Sequence, residues 1–236
     1  MLWSERKAKD ETRKKVLLCL NPYKDNLILN LPGNEILFEQ MVTSMANISK
    51  NEFVLFERDG SLVPEIRRKL DQLPINYSLQ NQDVDIYLQG QLALESPARK
   101  FDLIWLDYCG PLTPLRLSIA ARLRNLVTDT GTYAFTFMMG REHGGMMDII
   151  DAFGANEAPS GGSNLPVRLP DDMSLPLEMR IKTLLKVMWP TCQKTRISIL
   201  SYNDTVPMYV VIFQKGRLLD KELVPVKKLS VEWIQL

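Results

Sequence analysis

Asn26-Leu27-Ile28-Leu29-Asn30-Leu31-Pro32-Gly33 is an apolar run that stops at a Pro-Gly turn. Three further runs share its plan: Glu52-Phe53-Val54-Leu55-Phe56-Glu57, Tyr77-Ser78-Leu79-Gln80-Asn81-Gln82-Asp83 and Phe101-Asp102-Leu103-Ile104-Trp105-Leu106-Asp107. Each ends in an acid, and the stretches between them are long enough for one helix each. Strand and helix alternating at this spacing predict consecutive βαβ units and a parallel sheet, an α/β fold. In such sheets ligands bind beyond the carboxyl ends of the strands. Here those ends carry the Pro32-Gly33 turn and the acids Glu57, Asp83 and Asp107. Acceptor groups of one sign at one edge suit a polar, hydroxyl-bearing, cationic ligand.

The segments between and after the runs fill in the plan. Ile36, Leu37, Met41, Val42 and Met45 fall on a helical period within 34–47. Leu62, Ile66, Leu70 and Leu73 do so within 61–73, with Pro64 tolerated in a first turn. Residues 84–94 read as a short helix, and 113–127 as a longer one rich in Leu and Arg, closed by Asp129 and Gly131. Thr132 to Met139 reads as a fifth strand. Residues 154–174 have loop composition, with Gly154, Pro159, Gly161, Gly162, Pro166 and Pro170. A loop of this length is expected either to border a ligand pocket or to be a tolerated surface insertion. Leu175 to Val187 returns as a helix. Thr195 to Tyr202 and Met208 to Gln214 are β runs whose short joint demands an antiparallel pair. The expected organisation is a single domain: a charged N-terminal arm over 1–25, a core over 26–215 and a tail over 216–236.

Composition narrows the function classes. The 236 residues carry a net charge of +1, which gives no global pull toward nucleic acid or membrane. No apolar run approaches the roughly 18 residues that span a bilayer, and the charged stretch from Ser4 to Lys15 is unlike a secretion signal. Cys19, Cys109 and Cys192 lack disulfide or metal spacing, so a reducing, cytoplasmic or otherwise intracellular setting is expected. With His143 as the only histidine, no metal site is expected. The charges of residues 4–15 read either as a solvated helix or frayed arm, or as a basic arm touching phosphates.

Five parallel strands with intervening helices, a further helix and a closing hairpin form an order that resembles the class I S-adenosylmethionine-dependent methyltransferases. The resemblance covers about residues 26–215. It implies a doubly wound, mostly parallel Rossmann-like sheet with a C-terminal antiparallel hairpin strand, and S-adenosylmethionine as cofactor. It places Leu31-Pro32-Gly33 near the methionine part, Glu57 on the ribose hydroxyls, Asp83 near the adenine amine and Asp107 beside the reacting centre. The family's first loop has an acid followed by spaced glycines. Here Asn30 stands at the acid's place, Pro32, Asn34 and Ile36 stand where glycines fall, and only Gly33 remains.

Asp107-Tyr108-Cys109-Gly110-Pro111 lacks the paired prolines and the order found in methyltransferases of DNA-base amines. Asp107 is either a catalytic or cofactor residue or the cap of the following turn. Tyr108, read as lying past the strand end, is the stacking candidate; Trp105 is read as core. Cys109 is either a nucleophile or an inert thiol. Arg141, Glu142 and His143 either orient a substrate or form a solvated helix start. The expected activity is methyl transfer to an acceptor of unknown identity, with nucleic acid favoured on Arg116, Arg122, Arg124 and the basic arm. The alternative is an inactive methyltransferase-like scaffold with a protein partner, which the sparse glycines favour.

Overall fold

A computed structural model describes residues 3–21, 25–44, 51–94, 97, 99–111, 113–138, 195–203, 207–216 and 231–233. The four runs are strands β1 (Leu27–Asn30), β2 (Glu52–Phe56), β3 (Asn76–Gln80) and β4 (Phe101–Pro111). Then come β5 (Val127–Met138), β6 (Thr195–Asn203), β7 (Pro207–Lys215) and β8 (Val231–Trp233). They form one sheet in the order β3-β2-β1-β4-β5-β7-β6-β8. The first five pair in parallel, and β7 runs antiparallel to both β5 and β6. Strand β1 therefore lies between β2 and β4, as the family resemblance implies. Strands buried on both faces need apolar side chains at successive positions. Ile28 and Leu29, and Phe53 through Phe56, meet that need on both sides of the sheet.

The helices divide between the two faces. Helices α1 (Trp3–Leu17), α2 (Leu37–Ser44) and α3 (Val63–Leu70) bury Val16, Phe38, Val42, Ile66 and Leu70 against Ile28, Phe53, Leu55 and Trp105. Helices α4 (Val84–Ala93) and α5 (Pro114–Arg122) bury Val84, Leu88, Leu117 and Ala120 against Leu29, Phe56, Ile104 and Leu106. The fold is thus a doubly wound α/β sheet, mostly parallel, closed by an antiparallel hairpin. Strand order reverses between β1 and β4, which opens a crevice at the carboxyl ends of those parallel strands. No helix among the described residues is long and apolar enough to cross a membrane.

Four expectations change. The charged segment at the N-terminus is neither a frayed arm nor a fully solvated helix: Ala8, Thr12 and Val16, four residues apart, line a buried stripe of α1. Strand β4 runs past Asp107 to Pro111, with a register shift against β5 between those residues. Strand β5 starts at Val127 rather than Thr132, because a second shift bulges 128–131 out of the β4 ladder. In that bulge a side chain at Gly131 would lie 2.9 Å from Val127 Cβ and Thr128 N, so only glycine fits. The tail adds β8, paired in parallel with β6. The expected loop at 154–174, the helix at 175–187 and residues Arg141, Glu142 and His143 lie outside the described residues.

Candidate functional site

The crevice at the switch point is a cleft of about 460 Å³, a size suited to a small molecule. Its floor and walls come from the ends of four strands. Leu31, Pro32 and Gly33 line it from the turn after β1, Glu57 from the end of β2, Asp83 from the end of β3, and Asp107 and Tyr108 from β4. These seven residues therefore meet in one place, although they are spread over nearly eighty positions of the chain.

The turn after β1 has an unusual backbone. Gly33 has φ of +59°, and a Cβ there would meet open space, so glycine is required by conformation rather than by crowding. Ile36 also has positive φ, +47°, although it is β-branched and buried. That conformation is uncommon and strained for such a residue. The strain lies one residue before α2, and Lys69 of α3 holds the turn by donating to Asn34 O at 2.6 Å.

Each acid has a local job. Glu57 Oε1 accepts from Asp59 N at 2.7 Å, which fixes the carboxylate over the loop after β2. Asp83 caps α4, with Oδ1 accepting from Asp85 N at 2.8 Å, and its Oδ2 lies 3.9 Å from Arg58. Asp107 sits inside β4, opposite Thr136. Helix α5 is capped by Thr113, whose Oγ1 accepts from Arg116 N at 3.2 Å.

Tyr108 is not past the strand end. It lies in β4, and its hydroxyl donates to Asp85 Oδ1 at 2.6 Å. Arg116 stands over the ring at 4.2 Å and pairs with Asp85 Oδ2 at 3.5 Å. Burial, the charge of Asp85 and this hydrogen bond together raise the phenol above its ordinary value, so Tyr108 stays protonated. Arg116, one of the basic residues on which the sequence favours nucleic acid, lines the cleft. Trp105 is core as expected, edge-on to Phe38 at 4.6 Å, and it also touches the cleft. The backbone of Cys109 belongs to β4, and its side chain lies outside the described part.

Sequence reasoning missed three groups. Lys9 and Arg13 reach the cleft from α1, and Asp85 reaches it from α4. A third lies behind the wall: Glu39 of α2 is wholly buried and accepts from Asn30 Nδ2 at 2.7 Å. Burial pushes its carboxyl up to about 7, against the hydrogen bonds of its own backbone and Asn30 and the charge of Arg13. The Lys9 and Arg13 signal was their i,i+4 spacing on the helix that also buries Ala8 and Thr12. Nothing in the local pattern marks Glu39.

The cleft is thus acidic toward β2, β3 and β4 and basic toward α1. No group of three or more candidate metal ligands is present among the described residues.

No family model and no curated protein matches this sequence. Solved structures do match in fold. A protein of Listeria monocytogenes described as a class I S-adenosylmethionine-dependent methyltransferase aligns over 99% of this chain and 67% of its own, at 12% identity and TM-score 0.55. A SAM-dependent methyltransferase of the DUF858 family from Leishmania major aligns over 88% and 72%, at 12% identity and TM-score 0.51. The plantazolicin methyltransferase BamL, in complex with a triazolic desmethylPZN analogue and SAH, aligns over 91% and 86%, at 12% identity and TM-score 0.51. The chain has the class I methyltransferase fold.

Proposed function

We propose that the protein is an S-adenosylmethionine-dependent methyltransferase. The observation that carries this reading is the convergence of Leu31 to Gly33, Glu57, Asp83 and Asp107 on one cleft at the switch point of that fold. The donor set suits the cofactor. A carboxylate accepts two hydrogen bonds at once, so Glu57 suits the paired ribose hydroxyls. Asp83 suits the exocyclic amine, and the turn at Leu31-Pro32-Gly33 offers backbone to the methionine part. The orphaned polar atoms at Asn30 and Glu39 are the kind a ligand donor satisfies. The bound cofactor supplies an electrophilic methyl on a sulfonium.

The chain's own residues then work mainly by positioning. Asp107 orients the acceptor beside the reacting centre. Tyr108 forms a wall, fixed by Asp85 and Arg116, and acts as an uncharged surface rather than a base. A nucleic-acid acceptor is the finer part of the proposal and rests on the basic residues of α1 and α5. Several of these already have partners: Arg13 with Asp10, Arg116 with Asp85 and Arg122 with Ser118. The intracellular reading rests on Cys19, Cys109 and Cys192 lacking disulfide spacing.

The test is calorimetric titration with S-adenosylmethionine on the parent, Glu57→Ala and Asp59→Ala. Loss of a charge-assisted pair of contacts lowers affinity roughly tenfold to a hundredfold in Glu57→Ala. Asp59→Ala removes only the cap on Ser61 and binds nearly as the parent does. Equal affinities sink the ribose role of Glu57. Binding without transfer to any tested RNA, DNA, protein or small molecule favours the inactive scaffold instead, and absence of binding ends the cofactor reading.

A further inference from the structure

The cations of α1 are not equivalent. Lys7 and Lys14 are exposed, whereas Lys9 and Arg13, one turn apart, are half-buried and line the cleft. The side chain of Arg13 is only 16% exposed. A cation withdrawn from water needs anionic partners. Two other cations on the cleft, Arg58 and Arg116, each face an acid of another element, Asp83 and Asp85. Arg13 instead donates from Nη1 to Asp10 of its own helix at 2.7 Å, one contact for a guanidinium with five N–H donors. The acid nearest behind it, Glu39, is wholly buried; its Oε1 accepts from Asn30 and its Oε2 has no partner.

The place of α1 in the fold says what its cations face. Helix α1 packs against α2 and against β6, and shares a core with Trp105 of β4 and Met208 and Val210 of β7. In the strand order it therefore lies over the half of the sheet from β1 toward β6. Glu57 and Asp83, suited to the nucleoside, stand at the ends of β2 and β3, in the other half. Asp107 of β4, given the reacting centre in the reading above, lies between the two. Lys9 and Arg13 are thus on the acceptor's side of the reacting centre, not the nucleoside's.

We propose that Lys9 and Arg13 form a seat for an anionic group, a carboxylate or a phosphate, of the methyl acceptor. The seat rests on the cofactor reading given above. Glu39 behind it is a positioning residue that acts through Arg13. With its carboxyl neutral, Glu39 leaves the charge of Arg13 to the ligand. When its O–H bond breaks and the proton passes to solvent, the carboxylate competes for Arg13 and the seat weakens. An anion that arrives then reverses the step, and Glu39 takes a proton from the buffer. Anion binding is therefore strongest below the folded value of Glu39, about 7, and falls as pH rises through it. Other groups around Glu39 leave this sign unchanged. Asn30 of β1 and Trp105 of β4 are neutral, and Lys69 of α3 is held by Glu65 at 2.7 Å and by Asn34. Glu35, before α2, is exposed, where water screens it.

The probe is sulfate, whose charge is constant from pH 6 to pH 8. It is titrated by calorimetry into protein saturated with S-adenosylhomocysteine, so that the cofactor's own carboxylate is already in place. Ionic strength is held with chloride, and buffers of different ionisation enthalpy report proton uptake. The loaded parent is expected to bind sulfate about tenfold more tightly at pH 6 than at pH 8, in step with the fraction of neutral Glu39, and to take up close to one proton at pH 8. Lys9→Gln and Arg13→Gln each weaken sulfate binding at pH 6 by about tenfold. Lys14→Gln, at an exposed side chain paired with Glu11, leaves it unchanged. Glu39→Gln keeps the pH 6 affinity at pH 8. Lys9→Gln and the parent carry the test even where the variants at Arg13 and Glu39 fold poorly. Sulfate binding to unloaded protein but not to loaded protein places the cofactor's carboxylate on these cations, which overturns the acceptor seat and leaves the cofactor reading intact. Binding that Lys9→Gln leaves unchanged, an adventitious ion only, does the same. A pH slope that persists in Glu39→Gln overturns the part given to Glu39. Failure of S-adenosylhomocysteine to bind overturns the cofactor reading and the acceptor seat with it.

Discussion

At the scale of single residues, burial decides what each ionisable group can do. Glu39 shows this in stability. Below its ordinary pKa of 4.5 the carboxyl is protonated whether folded or unfolded, so its burial adds no pH-dependent penalty. As pH rises from 4.5 toward 7 the unfolded chain gives up the proton while the folded chain keeps it, and stability falls. Above the folded value the loss is complete, at about 3 kcal/mol. Urea unfolding at pH 5 and pH 8 should therefore show the parent losing up to that much more stability than Glu39→Gln. Matching losses would mean that Glu39 is not a neutral buried acid. Tyr108 supplies the opposite case, a group whose proton does not move. Tyr108→Phe is expected to cost about 1 kcal/mol of stability through the lost bond to Asp85, with no change in the shape of the pH–rate profile for methyl transfer. A profile that shifts in the variant would assign Tyr108 a proton-transfer role.

At the scale of elements, the strands were legible in the sequence because their demand is simple. A strand covered on both faces needs consecutive apolar residues, and Phe53 to Phe56 or Leu103 to Leu106 supply them without ambiguity. The acids at the strand ends were legible for the same reason, since they mark where the apolar run stops. Helix α1 was not legible. Its buried stripe is made of Ala8, Thr12 and Val16, small residues hidden among Lys, Arg, Glu and Asp. Only tertiary contact with α2 and the sheet reveals which side faces in. The basic side of the cleft was lost with it, because Lys9 and Arg13 depend on that placement. The place of Arg116 in the cleft wall was not legible for a related reason: the local pattern does not show its pairing with Asp85. The status of α1 can be checked directly. Leu17 is 3% exposed within the core that α1 shares with α2 and β1, so Leu17→Ala should cost about 2–5 kcal/mol in denaturant unfolding. A change within 0.5 kcal/mol would be the behaviour of a solvated arm, as exposed sites show.

At the scale of the whole molecule, strand order and charge are two views of the same arrangement. The strand order of the sheet reverses between the parallel strands β1 and β4, which opens the cleft. The two faces then furnish it differently. Acids come from the loops after β2 and β3 and from β4, while α1 lays Lys9 and Arg13 along the side nearest α2. Such a cleft suits a long, polar ligand that carries no negative charge in its middle and has an end that tolerates basic neighbours. S-adenosylmethionine has this distribution of charge. ATP shares the adenosine but carries a polyanion where the sulfonium would be, so Asp107, Asp83 and Glu57 repel it. The two ligands are therefore separated by thermal unfolding, which needs no acceptor. Saturation at about a hundred times Kd stabilises a folded protein by about 2.7 kcal/mol, or about 5–10 °C for a chain of this size. S-adenosylmethionine and S-adenosylhomocysteine should both raise Tm by that amount, and ATP at equal concentration should leave it within a degree. The Glu57→Ala variant should need at least ten times more S-adenosylhomocysteine to reach the same shift. An equal rise with ATP would show that the cleft selects adenosine alone, and that its acids do not discriminate by charge.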